Sequence, residues 1–441
     1  MEAKPNHAGF GLGTDDVKRR HILPKALVVG LVSGAIAAAF RVALQWIESH
    51  RIGWQQGHSG WAGLAVALAM GVTGGGLCVW LVQRLAPEAA GSGIPHLKSV
   101  VLGERTMQWR RLLPVKFFAG VLGIGGGLAL GREGPTIQMG GATGLMVSEW
   151  FRVKVGEGER KALIAAGSGA GLSAAFNAPL AGLVFVLEEL HGSFTPVIFV
   201  AAFLASVTAD VVGRVFTGEM PVFTLRNLAA PGLEVLPLAL ALGALCGVAG
   251  VVFNRSLLKS LDLFGRLKSW PAFAKGALAG ATVGLASWWL PGSAGSGGVL
   301  AERAILGEFT LAMLPVLLLA RFFLTMISYG SGAAGGIFAP LLVIGALGGL
   351  AVGQVVHGVL PGWAPHPEVF AVIGMGALLT AIVRAPLTGI VLMIELTGKY
   401  DFMLPLLAAC LVAYGVGEAL KDPPIYEALR LRALGSERVN H

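Results

Sequence analysis

Glu133 stands in the run Gly131-Arg-Glu-Gly-Pro135, an acid at the predicted start of a helix with apolar sequence behind it. A carboxylate in such surroundings is costly, so it marks a position kept for function. The same Gly-x-x-x-Pro spacing returns in Gly91-Ser-Gly-Ile-Pro95 and, within Gly335-Gly-Ile-Phe-Ala-Pro340, between Gly336 and Pro340. Proline at the first helical position has no amide hydrogen to lose, so Pro95, Pro135 and Pro340 each predict a helix start. Exposed amides at such a start, with the positive end of the helix dipole, suit an anion. One dipole contributes only ~0.3–2 kcal/mol, whereas moving a bare ion into low dielectric costs on the order of tens of kcal/mol. Several helix starts must therefore converge, with hydroxyl donors added. Ser92 and Tyr426 are the candidate hydroxyls, and the backbone amides of Ile337 and Phe338 are further donors. Arg132 and Gly134, flanking Glu133, complete the candidate anion-binding set. The motif loops carry no full positive charge besides Arg132, which fits a site that an ion must be able to leave.

The elements that hold these loops must be membrane helices. Of the 441 residues, 55% are hydrophobic and 13% charged, against about 25% charged in soluble domains, and the mean hydropathy is +0.73. The chain could supply on the order of a dozen spans of ~20 residues. Its 65 glycines suit closely packed membrane helices and unwound backbone near a cavity. The net charge of +8 is spread over short connections and the two ends, which excludes a nucleic-acid partner and reads as an orientation signal. Lys18, Arg19, Arg20 and Lys25 precede the first apolar stretch, and Arg430, Arg432 and Arg438 follow the last, so both termini are expected in the cytoplasm. Cys78, Cys246 and Cys410 lie far apart in apolar sequence without metal or redox spacing, and the nine histidines are scattered, so no metal site is expected. Residues 1–24 lack the apolar core and cleavage site of a signal peptide and are expected to form a surface helix or tail.

Apolar stretches run from 26–47 to 402–420, and some, such as 162–174 and 179–190, are too short to cross. These read as re-entrant or half-crossing helices, tolerated only where protein or a watery cavity satisfies the backbone. The chain also matches itself. Ala90-Gly-Ser-Gly93 returns as Ala294-Gly-Ser-Gly297, Lys116-Phe-Phe118 as Arg321-Phe-Phe323, Gly131-x-x-x-Pro135 as Gly336-x-x-x-Pro340, and Ala178-Pro-Leu-Ala-Gly182 as Ala385-Pro-Leu-Thr-Gly389. A glutamate follows the last anchor in each copy, Glu188 and Glu395. The expected fold is an all-α polytopic membrane protein of two inverted-topology helical repeats with broken and re-entrant helices. Its expected division is a cytoplasmic segment 1–24, a first repeat 25–214, a connection 215–234, a second repeat 235–420 and a cytoplasmic segment 421–441 carrying Tyr426. Lys116 and Arg321, Glu188 and Glu395 are repeat-related pairs, expected to be structural; the two basic residues could also line the aqueous approach.

The three glycine motifs and the tyrosine of Lys421-Asp-Pro-Pro-Ile-Tyr426 closely resemble the signature set of the CLC chloride channels and transporters, over nearly the whole chain. The resemblance implies a homodimer in the cell membrane with one pore per subunit. It implies that Ser92 and Tyr426 bracket a chloride with the amides of Ile337 and Phe338, and that Glu133 is the extracellular-side gate. It also implies that Glu189, in the run from Phe176 to Glu189, is the cytoplasmic-side proton acceptor found in exchangers. The outer faces of 179–213 and 386–420 are the implied dimer surface. Chloride is then the bound substrate and no cofactor is expected. Serine at position 92 and proline at 135 agree with chloride rather than nitrate or fluoride. Paired nucleotide-responsive domains, and regulation by ATP or AMP, are not expected.

Physically, an ionised Glu133 can occupy the place of a chloride, and a chloride arriving beside it disfavours that ionised state. The expected function is exchange of chloride for protons, a reciprocal coupling through one carboxylate. A passive voltage- or pH-gated chloride channel is the alternative. From another class, Gly57-His-Ser-Gly60 raises an intramembrane serine protease with Ser59 as nucleophile, but it lies in a polar connection and no base is placed beside it. No catalytic residue is assigned. The structural alternatives are a helix-start carboxylate for Glu133, a snorkelling helix end for Glu189, a cap for Ser92 and an interfacial anchor for Tyr426.

Overall fold

A chain this apolar must satisfy its backbone internally, and among the described residues it does so with helices, short turns and a few bridges between distant loops. The computed structural model describes residues 14–58, 60–154, 158–192, 195–218, 223, 232–364 and 366–438; for 14–20, 217 and 436–438 it describes the backbone only. The first half holds α1 (Thr14–Gln56), α2 (Gly60–Leu85), α3 (Ile94–Leu102), α4 (Trp109–Gly125), α5 (Glu133–Trp150), α6 (Gly158–Phe176), α7 (Pro179–Phe185) and α8 (Pro196–Thr217). The second repeats the order with α9 (Leu236–Arg266), α10 (Ala272–Trp289), α11 (Gly298–Ile305), α12 (Met313–Gly330), α13 (Phe338–Val359), α14 (Val369–Val383), α15 (Pro386–Thr397) and α16 (Met403–Ala419). A last helix, α17 (Ile425–Arg438), has no counterpart among the described residues. Seven of the described helical segments are long and apolar enough to span a membrane, and α3, α7 and α11 are too short to cross. The protein is a multi-pass membrane protein of two inverted helical repeats.

Packing follows the repeat. α5 packs on α6 as α13 does on α14, and α1 on α8 as α9 on α16. Three helix pairs join counterparts directly, α2 with α10, α7 with α15 and α5 with α13, so the pseudo-two-fold axis runs between their members. Glycine makes the close approaches possible. A Cβ on Gly140 would lie 2.0 Å from the Gly167 carbonyl oxygen, one on the matched Gly345 2.6 Å from that of Gly374, and one on Gly280 1.8 Å from that of Gly71. Backbones this near gain van der Waals contact that lipid cannot supply.

The acids and bases that recur in both halves hold the scaffold. Glu188 accepts hydrogen bonds from the amides of Leu387 (3.0 Å) and Thr388 (2.7 Å) at the start of α15. Glu395 accepts from Leu180 (3.0 Å) and Ala181 (2.7 Å) at the start of α7. Each carboxylate thus satisfies orphan helix-start amides of the other half. Lys116 donates to the carbonyls of Ala89 (2.8 Å) and Gly91 (2.7 Å), and Arg321 to those of Ser293 (2.9 Å) and Ser296 (2.6 Å). Both cations are fully buried, which makes them structural rather than part of an aqueous lining. α1 passes without a break through Pro24, so the expected surface segment continues into the first helix from Thr14. α6 is longer than its apolar stretch, because its Gly, Ser and Ala positions are buried against neighbouring helices.

Candidate anion site and its acidic side chains

Backbone hydrogen bonds knot the three glycine loops together. Gly131 N–H donates to Gly336 C=O (2.7 Å) and Gly336 N–H to Gly131 C=O (2.8 Å), an exchange between repeat-related residues. Gly91 N–H donates to Ala333 C=O (3.0 Å) and Gly335 N–H to Gly91 C=O (3.1 Å). The starts of α3, α5 and α13 therefore converge. The close fit needs glycine: a Cβ on Gly134 would sit 2.9 Å from Ser92, and Gly93, in the left-handed region at φ +80°, leaves no room for one beside Gln138.

The first helical bond of α13 runs from Leu341 N–H to Ile337 C=O (3.0 Å), and that of α5 from Thr136 N–H to Arg132 C=O (3.0 Å). The amides of Ile337 and Phe338 in one helix, and of Glu133 and Gly134 in the other, precede those bonds and are free of them. Ser92 is fully buried, its Oγ accepting weakly from Ile94 N–H (3.4 Å). Tyr426 is also fully buried, and its hydroxyl has no hydrogen-bond partner. An orphan buried hydroxyl is a donor waiting for an acceptor.

Glu133 is 2% exposed. The amides of Glu133 itself and Ala339 face its carboxylate, yet Oε2 completes no hydrogen bond. The acid thus reaches from α5 toward the start of α13, where an anion would sit. Arg132 Nε lies 3.9 Å from Glu133 Oε1, while its Nη2 donates to Ala175 C=O (3.3 Å). Arg132 and Glu133 line a cavity of about 750 Å³ that also meets Glu48, Arg51, Phe176 and Arg303. Arg132 therefore faces that vestibule, whereas Gly134 is against Ser92.

Glu189 lies in a π-helical turn, Val186–His191, that continues α7. Its side chain is 6% exposed and pairs with Lys98 of α3 at 2.9 Å. Tyr426 is delivered by the turn before α17. There Asp422 accepts from Asn254 Nδ2 (2.7 Å), and Arg384 Nη2 donates to the Asp422 carbonyl (3.2 Å). Ser59 lies outside the described residues.

Two site residues escaped sequence reasoning. Tyr329, at the end of α12, is buried against Gly91 and faces Ser92 with its hydroxyl. Its only sequence signal is a polar-tipped aromatic ending an apolar helix before Gly330-Ser-Gly332. Lys98 is the other, and only its charge inside an apolar run could have marked it.

Residues 74–418 match the family described as voltage gated chloride channel. The H(+)/Cl(-) exchange transporter ClcA of Vibrio cholerae is 41% identical over 429 residues, 95% of this chain and 91% of that protein. The ClcA of Cronobacter sakazakii is 40% identical over 425 residues, covering 94% and 90%. The crystal structure of a slow cyanobacterial Cl-/H+ antiporter superposes with a TM-score of 0.90 at 38% identity, covering 95% of this chain and 99% of that one. A CLC-type fluoride/proton antiporter, 21% identical with a TM-score of 0.76 over 92% and 97% of the two chains, shares the fold. With the knotted glycine loops, the orphan hydroxyl and the buried acid in place, these matches make the chain a member of the voltage gated chloride channel (CLC) family.

Proposed function

We propose that this protein exchanges chloride for protons across the membrane, one chloride site being contested by the Glu133 carboxylate. The observation that carries the reading is Glu133 itself: a buried acid with an unpartnered oxygen, reaching the Ala339 amide at the start of a second helix. Chloride would be held by Ser92 Oγ, the Tyr426 hydroxyl and the amides of Ile337 and Phe338. Gly134 lets the start of α5 come close to Ser92, and Arg132 draws anions into the vestibule. Chloride is the substrate, and the residues need no cofactor to bind it.

Ionised Glu133 and chloride compete for the same amides, so a proton on Glu133 clears the path and a bound chloride favours that proton. Glu189 is the proton acceptor on the cytoplasmic side. Exchange rather than passive conduction is supported by this second buried acid and by the exchange-transporter names of relatives about 40% identical. The proposed assembly is a homodimer in the cell membrane, one pore per subunit, with both termini in the cytoplasm. Its proposed contact faces lie on α7, α8, α15 and α16, where Phe203, Val215, Leu387 and Leu411 are exposed. Reconstitution in liposomes is the test. An imposed chloride gradient is expected to drive protons uphill; chloride flux with no proton movement would leave a passive channel.

A further inference from the structure

One ammonium is shared between the acid assigned to proton transfer and the helix that carries Tyr426. Lys98 Nζ is 2.9 Å from Glu189 Oε1 and 3.8 Å from Glu427 Oε2. Lys98 belongs to α3, whose loop holds Ser92, and Glu427 follows Tyr426 directly on α17. Glu427 is fixed in turn: Arg430 Nε donates to its Oε2 (3.0 Å), and Arg430 also grips Glu104. The Arg430 hydrogen bond holds the Glu427 carboxyl below the usual carboxylate range, so it stays ionised at neutral pH.

The other charged groups near this cluster are committed elsewhere or lie at its edge. Glu188, on the same π turn, caps α15. His191 ends that turn with Lys161 of α6 near it. Lys98, only 20% exposed, therefore has two carboxylates within reach among the described residues and no third. A mostly buried ammonium needs an anionic neighbour. When Glu189 accepts a proton and becomes neutral, Glu427 is the one left.

We propose, resting on the exchange reading above, that Lys98 is a positioning residue that changes partner: it holds ionised Glu189 and passes to Glu427 when Glu189 takes a proton. The proton binds the Glu189 carboxylate alone, and Lys98 stays an ammonium throughout. In the proton-loaded state α3 and α17, the carriers of Ser92 and Tyr426, are drawn together; in the other state the pull is released. Proton occupancy is thereby felt at the anion site from the cytoplasmic side.

The test uses full-length protein in liposomes, following proton-coupled chloride flux against internal pH. In parallel, infrared difference spectroscopy follows the carboxyl band that is lost in Glu189→Gln, which gives a titration midpoint whether or not a variant transports. Lys98→Met is expected to raise the midpoint by about one pH unit, since the acid loses its neighbouring cation. Lys98→Arg should restore the wild-type profile. Glu427→Gln should lower the midpoint, because Lys98 then has Glu189 alone. In the Lys98→Met background Glu427→Gln should move it much less, only the direct repulsion between the two carboxylates then being lost. Additive shifts mean two independent charges and overturn the proposal while exchange stands. A wild-type protein that moves no protons removes the exchange reading and this inference with it.

Discussion

The loops before α5 and α13 are counterparts in the two halves, and they carry different chemistry. Gly131 and Gly336 bond reciprocally, and Pro135 and Pro340 stand third in the two helices rather than first as the sequence suggested, but the helices open on different residues, Glu133 in one and its counterpart Phe338 in the other. The same division recurs elsewhere. Glu188 and Glu395 make matching caps, and Lys116 and Arg321 matching carbonyl clamps. Glu189, by contrast, is matched by the buried Leu396, and Lys98 by the exposed Glu302. The charged residues kept in both halves, Glu188 with Glu395 and Lys116 with Arg321, hold the scaffold, whereas Glu133, Glu189 and Lys98, which the proposed exchange uses, each occur in one half. Symmetry thus separates the acids with matching structural bonds from the acids to which the exchange proposal gives a role.

The largest effect should come from removing the most asymmetric acid. Glu133→Gln is expected to reduce chloride-driven proton uptake at least about tenfold, a barrier change of ~1.4 kcal/mol or more, while chloride flux continues. Liposome pH recording checks it. Proton pumping at the wild-type rate would show that Glu133 is no more functional than Phe338.

Next in size are the clamps, where the two halves should respond alike. Lys116→Met and Arg321→Met each leave two buried carbonyls without a charged donor, at about 3 kcal/mol for the pair of bonds. Denaturation in detergent should show losses of similar size for both variants. A large loss for one and none for the other would break the equivalence. The caps come after them: Glu188→Gln and Glu395→Gln should each cost about 1–2 kcal/mol, with the proton-to-chloride ratio unchanged. A changed ratio in either would move that residue from scaffold to machinery.

What sequence could and could not reveal follows the same division. Glu133 and the repeat were legible because glycine and proline mark helix starts locally, and because four anchors kept nearly one spacing. The structural roles of Glu188 and Glu395 followed from their recurrence. Lys98 was illegible because its partner lies 91 residues away, and no periodicity reports a contact made by two short helices that do not span. Tyr329 was hidden for a related reason, since the bonds of Gly91 to Ala333 and Gly335, far off in sequence, bring the end of α12 beside Ser92. The length of α6 was understated because small residues lower apparent hydrophobicity where close packing needs them most.

The smallest expected effect concerns α17, the element without a counterpart among the described residues. The Tyr426 hydroxyl is fully buried and unpartnered, so Tyr426→Phe removes no hydrogen bond that the folded protein makes, and stability should be equal or slightly higher. Chloride affinity should fall by about two- to tenfold, corresponding to ~0.5–1.5 kcal/mol for one hydrogen bond. Calorimetric titration with chloride reads this directly. Ser92→Ala should weaken binding by a similar factor, whereas Ser296→Ala, the repeat counterpart, should leave it unchanged, because Ser296 lines the vestibule rather than the convergence of helix starts. Equal losses from both serine variants would mean that the anion senses both halves alike, and the asymmetry between them would then lie in the proton path alone.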